Sequence, residues 1–148
     1  MKVFEVVPRL FIGTKIVPPA EYDTLGVDAI VDLEDWEYAW VPPVPLNCVY
    51  LSFPIEDDEH VDPKVREVAA FVAALVRSGR RVLVHCTEGL NRSGVIAARA
   101  LMYMGWTAHD AIERIRDRRG PSEDGLAALS NERLVSWLQL EETGAATD

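Results

Sequence analysis

The stretch "VLVHCTEGLNRSGVIAARALM", residues 82–102, constrains this chain most. An apolar, valine-rich run meets a cysteine, turns through a loop containing Gly89, reaches Arg92 and continues as a helix-forming segment. So short an apolar run between turn signals reads as a strand buried on both faces. Such a strand needs further strands beside it and packed layers over it, so the rest of the chain must supply both.

It does. "KVFEVVPRLFIG" predicts one or two short strands around a turn at Pro8, and "DAIVDL" and "NCVYLSF" predict two more. "PPAEYDTLG" predicts a short helix stopped by Gly26. "DPKVREVAAFVAALVRSG" is amphipathic, with Asp62 as N-cap, Pro63 in the first turn and Gly79 as stop. Three more helices follow: "SGVIAARALMYMG", "TAHDAIERIRDRRG" capped by Thr107, and "SNERLVSWLQLEE" capped by Ser130. Alternating strands and helices predict an α/β fold, a small central mostly parallel sheet flanked by helices on both sides, with "RVLVH" in the middle. No linker or repeat interrupts residues 1–148, so a single domain is expected.

The net charge of -9 argues against a protein that grips nucleic acid through a broad basic surface. It leaves room for a small local anion site. The cysteines, Cys48 and Cys86, lie far apart, and His60, His85 and His109 form no ligand pattern, so no metal or other cofactor is expected. The N-terminus lacks the apolar core of a signal peptide, and no run is long enough to span a membrane. A reducing cytoplasm, where free thiols persist, is the expected compartment.

Within the loop, Cys86 and Arg92 bracket Thr87, Glu88, Gly89, Leu90 and Asn91. A short turn at a helix N-terminus can converge its backbone N–H groups on a tetrahedral oxyanion, and the helix dipole adds positive potential. Arg92 offers a bidentate clamp for two oxygens of a phosphate. The same field favours the thiolate of Cys86, placing a nucleophile under the bound phosphorus. Ser93 is positioned to donate a hydrogen bond to the sulfur as it leaves, and His85 braces the loop. The Gly-Lys-Ser/Thr of a Walker A loop is absent.

"HCTEGLNRSG" resembles the Cys-x5-Arg-Ser signature of the protein tyrosine phosphatase superfamily, in the form found in dual-specificity phosphatases. The resemblance extends to "VVPRLFIG", "AIVDL", "YLSFPIEDD", "GWTAHDAIERIRDRRG" and "LSNERLVSWL". It implies a metal-independent phosphatase working through a phosphocysteine on phosphorylated protein or peptide. It also implies a general acid in a Pro-Ile-x-Asp context, which "Pro54-Ile55-Glu56-Asp57" fits. Asp57 is therefore the expected acid and Asp58 the alternative, with Glu56 a third carboxylate nearby. Such a group must protonate the leaving oxygen and then activate water.

Other features carry two readings each. Asn131 resembles a family asparagine that supports the phosphate loop, or is a helix-start residue. Arg116, Arg118 and Arg119 draw in an anionic substrate, or are a solvated helix end complementing the dipole. Trp36, Tyr38 and Trp40 line a substrate wall, or pack internally. Cys48 is a redox partner of Cys86, or a strand cysteine.

The loop also resembles the "HCTxGxNR" loop of RNA 5′-triphosphatases, which makes an RNA 5′ end the alternative substrate. A pseudophosphatase that only binds phosphoresidues, and an arsenate-reducing role, are further alternatives. The uncharged residues between Cys86 and Arg92, apart from Glu88, disfavour an inositol polyphosphate headgroup. Tyrosine-only against dual specificity, and the oligomeric state, are left open by the residues.

Overall fold

The computed structural model describes residues 1–35, 40–56 and 60–144. The strands are β1 (Val3–Val7), β2 (Leu10–Gly13), β3 (Ala29–Asp32), β4 (Val49–Ser52) and β5 (Val82–His85). They form one sheet in the order β1-β2-β5-β3-β4. β1 and β2 make an antiparallel hairpin around Pro8 and Arg9, with Arg9 at φ 74. All other pairings are parallel, so the sheet is mostly parallel and the "VLVH" strand is its centre. The register sets Gly13 and Asp32 on either side of His85, at the carboxyl ends of the strands. Parallel α/β sheets bind ligands at that end.

The helices are α1 (Val65–Arg77), α2 (Arg92–Tyr103), α3 (Ala108–Arg119) and α4 (Glu132–Thr143). Their buried residues join one core with Leu10, Ile12, Ala29, Val31, Val82 and Val84, which project from one face of the sheet. On the opposite face Ile30 packs with Ile16 and Tyr22 in a smaller cluster. That face is covered by a 3-10 turn, Tyr22–Leu25, where a short helix was expected. The four helices join the core on one face, and among the described residues the second face carries this turn in place of the expected helix.

Cap chemistry explains the smaller differences. Asp62 Oδ1 accepts the N–H of Lys64 at 2.9 Å, so it caps a turn that becomes regular helix at Val65. Thr107 caps α3 as expected, accepting from Asp110. α4 is capped by Asn131 rather than Ser130: Asn131 Oδ1 accepts from Arg133 N–H at 3.0 Å, while Ser130 Oγ faces Asn91 Nδ2 at 3.5 Å. Among the described residues, no helix is long and apolar enough to cross a membrane.

Candidate active site

The loop between β5 and α2 is anchored carbonyl by carbonyl. The carbonyl of Thr87 accepts from Lys15 N–H at 3.0 Å, and that of Leu90 from Leu129 N–H at 3.1 Å. Arg119 donates from Nη2 to the Glu88 carbonyl at 3.0 Å and from Nε to the Gly89 carbonyl at 3.2 Å. The Asn91 carbonyl accepts from Val95 N–H in the first turn of α2. In a trans peptide the following N–H points opposite to the carbonyl. With the carbonyls of 87–91 turned to the framework, the N–H groups of 88–92 face the other way. They face a cavity of about 220 Å³ lined by Cys86, Thr87, Glu88, Leu90, Asn91 and Arg92. An oxyanion there meets several donors and the N-terminus of α2.

Glycine is required at position 89, where φ is +67 and a Cβ would lie 3.1 Å from the Gly13 carbonyl oxygen. Cys86 sits at the cavity floor, only 2% exposed. Its Sγ lies 3.4 Å from Oγ of Ser93, which is fully buried. Arg92 opens α2. Its Nη1 donates to the Ile55 carbonyl at 3.3 Å and its Nη2 to Thr87 Oγ1 at 2.8 Å. Two fixed contacts hold the guanidinium, and its other N–H groups are available to an anion.

Behind the loop His85 is fully buried, with Tyr22 Oη 2.9 Å from Nε2. Burial holds the His85 imidazole below its ordinary value, against the pull of Asp32, so the ring is neutral. Burial pushes the Tyr22 phenol far up, so it keeps its proton and donates to Nε2. The ring proton then sits on Nδ1, a buried atom without a hydrogen-bond partner, 3.6 Å from Glu34 Oε2. Asp32 accepts from Tyr50 Oη at 2.6 Å and from Glu34 N–H at 3.0 Å. Burial, then repulsion from Asp32, raises the Glu34 carboxyl above its usual range, opposed by Lys15, Arg92 and a hydrogen bond with Thr87.

The expected site residues Cys86, Arg92, Ser93 and His85 converge here. Asn131 serves twice: its backbone N–H donates to Asn91 Oδ1 at 3.0 Å, tying α4 to the loop, and its side chain caps the helix. Asp57 and Asp58 lie outside the described residues, as do Trp36 and Tyr38. The carbonyl two residues before Asp57 touches Arg92, and Glu56 lines a second cavity of about 200 Å³ that reaches Arg92. Trp40 is exposed.

The guanidiniums of the basic cluster reach backbone carbonyls, with Arg118 exposed. Arg116 donates to the carbonyls of Ala128 and Leu129, Arg118 to that of Glu5, and Arg119 to the loop. Cys48 packs in the small cluster on the far face, whereas Cys86 belongs to the main core, and both are free thiols. Sequence reasoning named Arg119 without its loop contacts and missed Glu34 and Tyr22. No local spacing marks them, because each reaches the loop from a different element.

The pattern of the dual specificity phosphatase catalytic domain matches residues 10–129. The chain is 32% identical over 138 residues to dual specificity protein phosphatase 1B of Arabidopsis thaliana, covering 91% of this chain and 78% of that protein. It is 30% identical over 128 residues to dual specificity protein phosphatase 1-A of Xenopus laevis, covering 78% of this chain. The match spans 32% of the Xenopus protein and 59% of dual specificity protein phosphatase 26 of Bos taurus, so the chain corresponds to part of those longer relatives. The crystal structure of human DUSP28 superposes with a TM-score of 0.76 at 24% identity, over 96% of this chain and 93% of that one.

Proposed function

Because the chain belongs to the dual specificity phosphatase family, we propose that residues 1–148 act as a single phosphatase domain. Its reaction is the hydrolysis of phosphomonoesters on phosphorylated protein or peptide through a phosphocysteine. The observation that carries this reading is the anchored loop: carbonyls turned outward around a buried cysteine beside an arginine.

Cys86 Sγ attacks phosphorus in line, an S–P bond forms, and the P–O bond to the leaving group breaks. Asp57 gives the departing oxygen its proton; Asp58 is the alternative donor. The contact of Ile55 with Arg92 supports a carboxylate from this segment near the leaving group. Arg92 and the N–H groups of residues 88–92 stabilise the charge on the equatorial oxygens. In the second step Asp57 removes a proton from water, which attacks phosphorus. Ser93, 3.4 Å from the sulfur, donates to the thiolate as it leaves. Every step uses the chain's own groups. The two free thiols support a reducing, cytoplasmic setting.

The test is phosphate release, in EDTA, from a phosphotyrosyl peptide and a 5′-triphosphate RNA side by side, with Cys86→Ser as control. Peptide turnover that disappears in the variant is expected. Full activity in Cys86→Ser would end the proposal, and turnover of RNA alone would move the substrate to RNA ends.

A further inference from the structure

A groove of about 500 Å³ adjoins the phosphate cavity of about 220 Å³, and Thr87 and Glu88 line both. A substrate held by its phosphate therefore has this groove beside it, with room for a neighbouring side chain. Beyond the loop the groove is lined by Glu123 and Asp124, and by Lys2 and Arg119.

The lining is held in place on both sides. Arg119 holds the Glu88 carbonyl at 3.0 Å. Glu123 and Asp124 sit on a turn closed by Ser122 N–H to the Leu126 carbonyl at 2.8 Å and by Leu126 N–H to Ser122 Oγ at 3.0 Å. The two cations are already engaged. Lys2 Nζ lies 3.5 Å from Glu123 Oε1, and Arg119 is turned to the loop carbonyls and over the Phe4 ring. Glu88 and Asp124 are exposed and, among the described residues, in no ion pair. The groove thus offers two unmatched carboxylates next to the phosphate site. The net charge of -9 also repels an anionic peptide, and a cationic residue beside the phosphate offsets that repulsion.

We propose that Glu88 and Asp124 are specificity-determining residues, and that the groove takes a lysine or arginine flanking the phosphoresidue of a peptide substrate. This inference rests on the phosphatase reading of the site. The phosphate seats under the N–H groups of the loop, and the flanking cation lies over the groove, between the loop and the turn at 122–126. The two carboxylates act on which peptide is captured, not on the bonds that form and break. Exposed charge pairs of this kind contribute only a few-fold each. The same carboxylates disfavour acidic flanks, and also an RNA strand, whose next phosphates follow the first.

The experiment compares kcat/KM for two phosphotyrosyl peptides that differ only in the residues on either side of the phosphotyrosine, lysine in one and glutamate in the other. Their ratio within one protein cancels any loss common to both. At low ionic strength the lysine peptide is expected to be favoured roughly five- to tenfold. Asp124→Asn and Glu88→Gln should each lower that ratio about two- to threefold, and together bring it near one. Glu67→Gln, an exposed position on α1 outside the groove, removes the same charge and should leave the ratio as it was. If Glu88→Gln does not fold, Asp124→Asn on its exposed turn carries the comparison. A ratio near one in the unsubstituted protein, or one that falls no further in the groove variants than in Glu67→Gln, would overturn the assignment. Turnover of neither peptide would instead overturn the phosphatase reading, and this inference with it.

Discussion

At the scale of single residues, chemistry and backbone shape are separable. Ser93 is buried 3.4 Å from Cys86 Sγ, and in the proposed mechanism its hydroxyl serves the sulfur. Ser93→Ala is expected to slow breakdown of the phosphocysteine roughly 10- to 100-fold, the range of a well-placed proton or hydrogen-bond donor. Formation of the intermediate should be little changed. Rapid-quench kinetics should then show a burst of leaving group followed by a slow steady state; equal slowing of both phases would remove Ser93 from the second step. Gly89 is the complementary case, with shape and no chemistry. Gly89→Ala combines φ +67 with a 3.1 Å approach to the Gly13 carbonyl, on the peptide Arg119 anchors. A cost of about 1–3 kcal/mol is expected in chemical denaturation, with a larger loss of activity than of stability. Cys86, Arg92 and Ser93 were legible in the sequence because seven consecutive peptide units fix how they meet. Glu34 was not, because its approach to His85 depends on the β3–β5 register.

At the scale of elements, α3 shows how a helix end can be misread. Three arginines before Gly120 look like free charge, yet their guanidiniums reach backbone carbonyls on separate segments. Arg119 also stacks 4.5 Å over the Phe4 ring, which keeps its fork in one plane. Arg119→Met retains the stem and removes both loop bonds. It should lower kcat/KM about tenfold or more, by letting the Glu88 and Gly89 peptides rotate. Arg118→Met, whose partner is the Glu5 carbonyl on β1, should leave kcat/KM within twofold. Equal losses in the two variants would make Arg119 an ordinary surface tether. The element pattern itself was readable: strands from short apolar runs, and α1 and α2 from their helical apolar spacing. What periodicity cannot supply is which face of the sheet a segment covers. "PPAEYDTLG" became a single 3-10 turn because Tyr22 is drawn down to His85, and that tertiary bond outweighs a modest helix propensity.

At the scale of the whole molecule, the site depends on elements distant in sequence staying docked, and α4 is the one that closes the core. It touches the loop through Asn131 at one end. Near its other end Glu141, with a side chain 5% exposed, binds Arg66 of α1 at 2.7 Å and Arg99 of α2 at 3.0 Å. Burial alone would raise this carboxyl, but hydrogen bonds and charge from the two arginines outweigh it and hold Glu141 below its usual value. A depressed carboxylate stabilises the fold above the unfolded value, and that stability is lost as pH falls through the folded value. Glu141→Gln leaves two arginines facing a neutral amide in a buried place and should cost about 3 kcal/mol. For a chain of this size that is roughly 6–12 °C in Tm. Thermal melts of the two proteins should differ by that amount at pH 7 and converge as pH drops below the ordinary carboxylate value of 4.5. A gap that persists undiminished at pH 3 would mean that the amide packs badly, and that charge is not what joins α4 to α1 and α2. If the gap closes, acid should undock α4 as Glu141 is protonated, before the apolar contacts that hold the rest of the core are lost. Phosphate binding at the loop should then fail at a higher pH than the far-ultraviolet circular dichroism signal, since Asn131 leaves with the helix.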